Sequence, residues 1–247
     1  PAMAARVAAY KRDVAGAYCS VPPGDLETML PAGPSIVSEK VDGETWFLHR
    51  ADGTSTLVSP TGKAITDVPV TQEANTLLAD WSGLLAGELY AACDGGRPRV
   101  FDLHAALGGG ERAQIDRLRF AAFDLILDGE EDMGRAAFPD RVDRVQGLLR
   151  NGRLLHAAAF EMADSPDKVA AAFERIVTQG GAEGLVVHAR DGRIFKIKPE
   201  ITIDSAVVAY AGTAVGVSEL LLAMLAPDGR YQLIGRVRLG WSHEEGR

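Results

Sequence analysis

Twenty arginines but only six lysines occur among these 247 residues, and the six are Lys11, Lys40, Lys63, Lys168, Lys196 and Lys198. An arginine guanidinium keeps its proton, whereas a lysine amine can give its proton up and act as a nucleophile. A chain with this bias keeps lysine where arginine will not serve, although biased codon usage explains Lys11 and Lys168 equally well. Lys40 opens Lys40-Val41-Asp42-Gly43, which sets an amine beside a carboxylate at the end of a strand. Lys196 and Lys198 alternate with Phe195 and Ile197, so both point to one face of a strand. Two ammonium groups on one face repel each other unless an anion lies between them. Carboxylates recur in Gly87-Glu88-Leu89-Tyr90 and ahead of Gly184-Leu185-Val186-Val187, at Glu183, and an aromatic ring stands in Phe123-Asp124-Leu125. Each fragment alone is weak: the first reads as an exposed hairpin lysine, the second as a strand residue facing water, and Phe123 as core.

The elements that must carry these residues follow from hydrophobic periodicity and turn signals. Residues 3–18 predict a helix, and the prolines and glycines of 22–34 leave room for no more than a short helical turn. Strands are expected at 36–41, 45–49 and 56–58, with turns at Asp42-Gly43 and Asp52-Gly53. A helix over 71–80 comes next. Residues 84–92 and 99–103 suggest a hairpin turning at Asp94-Gly95-Gly96, and 119–127 a further strand closed by Asp128-Gly129. Helices are expected at 139–150, with Pro139 near its start, and at 166–177, ended by Gly180-Gly181. Strands 185–187 and 194–197 pair across Asp191-Gly192. After Pro199, short strands at 206–210, 220–225 and 231–237 look like the start of a small barrel, with three of the five strands of an oligonucleotide-binding barrel.

Composition is that of a globular protein: 47% hydrophobic and 24% charged residues. No run of about 18 apolar residues is present, so no membrane span is expected. The first 18 positions read as an amphipathic surface helix and not as a signal peptide. Cys19 and Cys93 lack CxxC spacing, which argues against a disulfide framework or zinc ribbon and for a reducing, cytoplasmic setting, cytosol or nucleoid. The five histidines, His49, His104, His156, His188 and His243, show no metal-ligand spacing. A net charge of −8 argues against a nucleic-acid partner only on the sum, because the local field decides.

In chain order the fragments resemble the covalent nucleotidyltransferase superfamily of ATP-dependent DNA ligases, RNA ligases and mRNA capping enzymes. Lys40 to Gly43 is similar to motif I, Gly87-Glu88-Leu89 to motif III and Phe123-Asp124-Leu125 to motif IIIa. Glu183 to Val186 is similar to motif IV, and Lys196-Ile197-Lys198 to motif V. The texture after Pro199 resembles a DNA ligase barrel, which favours that branch. The resemblance implies an α+β nucleotidyltransferase core of antiparallel sheets with flanking helices at 1–200, then an incomplete OB-fold segment at 201–247. It implies ATP as cofactor, with AMP carried covalently on Lys40, and Mg²⁺ or Mn²⁺ held by Glu88 and Glu183. Lys40, Asp42, Lys196 and Lys198 are then the expected catalytic residues. Glu39, Lys40, Val41, Gly43, Glu88, Phe123, Glu183, Lys196 and Lys198 are the expected nucleotide-binding set. The expected partner is nicked double-stranded DNA, sealed by a monomer in repair or replication.

Departures from the pattern are local. Thr45 and Pro60 stand where the family carries arginines, and Lys63 either replaces one of them or is a solvated turn residue. The basic motif that closes over pyrophosphate late in the barrel has no match, so a shortened chain or an impaired first step is expected. Only about 34 residues precede the first motif strand, too few for a DNA-binding domain. Arg141 and Arg144 read as paired with Asp140 and Asp143, and Arg230, Arg236 and Arg238 as a possible DNA-facing set. An RNA ligase, a GTP-using capping enzyme and a non-catalytic nucleic-acid-binding relic stay open as alternatives.

Overall fold

The computed structural model describes residues 2–108, 110, 113–200, 202–213 and 216–239. It divides into two compact units, Pro1–Pro199 and Glu200–Arg247. The first unit opens with α1 (Ala2–Asp13), β1 (Cys19–Val21), the short α2 (Leu26–Met29) and β2 (Ser35–Glu39). It continues with β3 (Glu44–Ala51), β4 (Thr54–Val58), β5 (Ala64–Ile65), α3 (Pro69–Leu77), β6 (Gly83–Ala91) and α4 (Val100–Gly108). Then come β7 (Leu118–Asp128), β8 (Glu131–Asp132), α5 (Phe138–Leu149), β9 (Leu155–Ala157), β10 (Phe160–Ala163), α6 (Pro166–Phe173), β11 (Leu185–Ala189) and β12 (Ile194–Ile197).

These strands form two sheets. One has the order β1-β12-β11-β2-β10, and the other runs β5-β4-β3-β6-β7-β8 with β9 beside β7. Successive side chains point to opposite faces, and burial runs almost without a break along β6 and β7, so the larger sheet is covered on both faces. Leu48, Leu85, Leu89 and Phe120 pack with Ala74 of α3, Leu103 of α4 and Val145 and Leu149 of α5. On the opposite face Phe47, Leu84 and Ala86 pack with Val7 of α1. Burying a side chain of this size stabilises the fold by about 1.5–3 kcal/mol. The smaller sheet closes its own core with Val37, Leu185, Val187 and Phe195 against Val169 and Ala172 of α6.

Two expectations need correction. Residues 99–103 do not form the second arm of a hairpin; they begin α4, and β6 pairs instead with β3 and β7. Asp102 decides this: its Oδ2 accepts the Arg99 amide at 2.9 Å, a helix-start contact. The long first helix also stops early, at Asp13, and a 3₁₀ turn over Ala15–Ala17 follows. Among the described residues, no helix is long and apolar enough to cross a membrane.

The second unit contains β13 (Ala206–Thr213), β14 (Gly216–Leu225) and β15 (Tyr231–Arg238), an antiparallel meander. Its described strands make an open three-stranded sheet, bulged in both pairings, and no closed barrel. Arg230 pairs with Asp228, and Arg236 and Arg238 both pair with Glu219, so these arginines are partnered within the unit. His243 lies outside the described residues.

Candidate active site

Lys40 follows the last residue of β2, and its amide donates to the Gly184 carbonyl at 2.9 Å. That bond extends the β2–β11 pairing by one step and fixes where the lysine side chain leaves the sheet. Its Nζ donates to Glu183 Oε2 at 2.5 Å, and the other oxygen of the same carboxylate pairs with Lys198. The Glu183 carboxylate therefore bridges Lys40 and Lys198, and not Lys196 and Lys198, the pair between which an anion is expected. Burial acts to raise the Glu183 carboxyl, but hydrogen bonds from Lys198 and Lys40 outweigh it and hold the group below its ordinary value.

Two glycines are fixed here by close approach. A Cβ on Gly184 would lie 2.3 Å from the Ile197 carbonyl oxygen, and one on Gly43 would lie 2.3 Å from that of Leu89. Both approaches are far inside van der Waals contact. Any side chain at either position would push apart the strands that carry Glu183 with Lys198, or Lys40 with Glu88.

A cleft of about 1430 Å³ lies between the two sheets, lined by both of them. Glu39, Lys40, Val41 and Gly43 contribute from the β2–β3 junction, Glu88 from β6, Phe123 from β7 and Lys196 from β12. Lys196 lies opposite Val186, which lies opposite Ser38, so one row of side chains crosses three strands into the cleft. Glu88 is pushed up to about 7, chiefly by burial and further by Glu183, while Lys40 and Lys11 act against the rise. The volume exceeds the roughly 300–1,000 Å³ of a small-molecule pocket, leaving room for a second reactant.

Asp42 does not line the cleft. Its Oδ1 accepts the Val100 amide at 3.3 Å at the start of α4, and its Oδ2 lies 3.5 Å from Arg97. Glu183 and Lys198, both expected to bind the nucleotide, are not among the lining side chains either; Glu183 meets the cleft through its contact with Lys40, and Lys198 through Glu183. Arg141 and Arg144 pair with Asp124 and Asp128 of β7, not with their helix neighbours Asp140 and Asp143. Tyr18, His104 and His188 are among the cleft residues not singled out from sequence as part of the site. His188 is lowered to about 3 by burial and by Arg141, and stacks on Phe138 with ring centroids 3.6 Å apart. It is a neutral wall residue. Lys11 and Lys63 also line the cleft, and lysine scarcity was the signal that could have marked both.

No group of three or more His, Cys, Asp or Glu side chains suited to a metal ion occurs among the described residues. Glu88 and Glu183 remain a fitting pair for a divalent cation, because Mg²⁺ commonly takes one or two carboxylates and completes its shell with water and substrate phosphate. Burial is the main cause of the raised Glu88 and repulsion from Glu183 adds a smaller part, so a cation held by both carboxylates would ease each cost.

The family described as the ATP-dependent DNA ligase domain matches residues 23–197. The chain belongs to this family. A probable DNA ligase of Streptomyces griseus is 30% identical over 236 residues, spanning 87% of this chain and 46% of that protein. This ligase-family chain thus spans about half the length of such curated relatives. Among solved structures, Pmar-Lig_PreS3 superposes with a TM-score of 0.70 at 16% identity, covering 93% of this chain and 58% of that one. A Lig E DNA ligase, described as binding DNA with a minimal scaffold, gives 0.62 at 21% identity, covering 88% and 82%. At those identities the structural likeness establishes the fold: a ligase nucleotidyltransferase domain of mixed α and β structure.

Proposed function

We propose that this chain is the nucleotidyl-transfer core of an ATP-dependent DNA ligase, with Lys40 as its nucleophile. The Lys40 amine attacks the α-phosphorus of ATP, a P–N bond forms, the bond to the leaving pyrophosphate breaks, and lysyl-AMP results. AMP then passes to a 5′-phosphate at a nick, and a 3′-hydroxyl displaces it to seal the strand. The observation that carries this reading is the Glu183 carboxylate shared by Lys40 and Lys198, with Lys40 lining the same cleft as Glu88 and Lys196.

In that arrangement Glu183 holds Lys40 as an ion pair before reaction, and the ammonium must give up a proton, to this carboxylate or to water, before the neutral amine can attack. Lys196 and Lys198 neutralise charge that builds on the phosphate. A divalent cation, Mg²⁺ or Mn²⁺, would be held by Glu88 and Glu183 and would neutralise phosphate charge there. Phe123, on the cleft wall, offers a face for the adenine ring. Asp42 acts at one remove, by seating α4 beside the Lys40 turn.

Incubation with Mg²⁺ and α-labelled ATP or GTP, beside Lys40→Ala, tests the reading on a denaturing gel. Covalent label from ATP that is absent in the variant is the expected result, followed by sealing of a DNA nick in preference to an RNA one. Label from GTP alone would assign capping-type chemistry. Label that survives in Lys40→Ala would remove Lys40 from the reaction.

A further inference from the structure

Of the four basic side chains that line the cleft, Lys11, Lys40, Lys63 and Lys196, not one is an arginine, in a chain with twenty arginines. Lys40 is tied to Glu183 and Lys196 belongs to the motif strand. Lys11 comes from a different part of the fold, the last turn of α1, and no motif includes it. Its Nζ donates to Thr45 Oγ1 at 3.2 Å, and no ion pair involves it among the described residues. The ammonium therefore keeps two of its three donors free at the cleft wall. Its field reaches Glu88, the same carboxylate that Lys40 acts on.

The helix is anchored so that this lysine is held in place. Val7 is fully buried, with Met3 beside it at helical spacing. Tyr10 stands edge-on to Phe47 at 5.6 Å and donates to Asp124 at 2.7 Å. The neighbouring Arg12 pairs with Asp13, which cancels its charge, so Lys11 is the net cation of the last turn of α1 and a helix-end role must be separated from ligand binding by the test. Thr45, on β3, has its hydroxyl hydrogen left to donate once it accepts from Lys11.

We propose that Lys11 and Thr45 form a phosphate-binding element of the cleft, supplied by α1. This rests on the proposed ligase reading for the choice of ligand, a phosphate group of the nucleotide tail or of the DNA 5′ end. The test measures binding directly, so that it stands apart from Lys40 chemistry. Wild type, Lys11→Ala and Lys11→Arg are titrated calorimetrically with inorganic tripolyphosphate and Mg²⁺, and separately with a nicked duplex bearing a 5′-phosphate or a 5′-hydroxyl. Loss of a charge-assisted contact is expected to weaken Lys11→Ala by about tenfold for one ligand, with Lys11→Arg between the two. Weakening for tripolyphosphate assigns the nucleotide tail, and weakening only for the phosphorylated nick assigns the DNA end. Affinities within about twofold of wild type for both ligands, or no binding by wild type, overturn the proposal. So does a variant whose sole defect is a lowered melting temperature restored by Lys11→Arg, which assigns Lys11 to the helix end.

Discussion

Burying a carboxylate removes hydration that the protein must replace, and Glu88 is the cleft residue where replacement is incomplete. Its pKa lies at about 7 against an ordinary value of 4.5, with burial as the leading cause. The folded chain therefore binds this proton more tightly than the unfolded chain does. The sign follows from linkage: the folded state is favoured fully below the unfolded value and loses stability as pH climbs toward the folded one. At roughly 1.36 kcal/mol per unit, the loss above neutrality is about 3 kcal/mol. Glu88→Gln, which keeps shape without charge, should be more stable than wild type at about pH 8 and equal to it at about pH 4. Urea unfolding at the two pH values checks this; equal midpoints at the higher pH would show that Glu88 is compensated within the fold. The same variant should lose lysyl-AMP formation, so stability and activity move in opposite directions, as expected where a site keeps a poorly satisfied charge for use.

Asp124 plays the corresponding part between elements. Its Oδ1 accepts from Arg141 of α5 at 2.7 Å and its Oδ2 from Tyr10 of α1 at the same distance, so one side chain of β7 ties two helices to the sheet. The side chain is only 4% exposed and that of Arg141 16%, so removing one charge leaves the other buried without its partner. Asp124→Ala should destabilise the first unit by about 3–5 kcal/mol. Limited proteolysis should then cut within α1 and α5 well before the midpoint of global unfolding; protection equal to wild type would mean that apolar packing alone seats both helices. This cluster also marks where sequence reading ran out. The β2–β3 junction and the β11–β12 hairpin were legible, because Asp42-Gly43 and Asp191-Gly192 punctuate strands with clear alternation. The fragment Phe123-Asp124-Leu125 was legible as a motif, but its aspartate's partners lie 114 and 17 residues away. Nothing local announces them. The start of α4 was misread for the same reason: 99–103 alternates like a strand, and part of what caps the helix is Asp42, 58 residues earlier.

Across the whole molecule the two basic residue types divide their work. Among the described residues, arginines close ion pairs within the protein, as in Arg6–Asp132, Arg97–Asp42, Arg144–Asp128, Arg175–Glu161 and Arg193–Asp191. Four of the six lysines, Lys11, Lys40, Lys63 and Lys196, line the cleft. This is how a chain of net charge −8 can present cations to a polyanion: ten of its arginines are neutralised in ion pairs, and Lys11, Lys63 and Lys196, which no ion pair involves among the described residues, line the cleft. Every residue lining the cleft falls between Lys11 and Lys196, inside the unit Pro1–Pro199. All three buried clusters of that unit are likewise made of its own residues. A fragment ending at Pro199 should therefore fold alone. Followed by the emission of Trp46 and Trp81 in urea, it should unfold in one cooperative transition, with a slope in keeping with its smaller buried surface. A broad transition, or the loss of tripolyphosphate binding at unchanged secondary structure, would instead mean that the cleft depends on residues beyond Pro199, and would make the second unit part of the catalytic core.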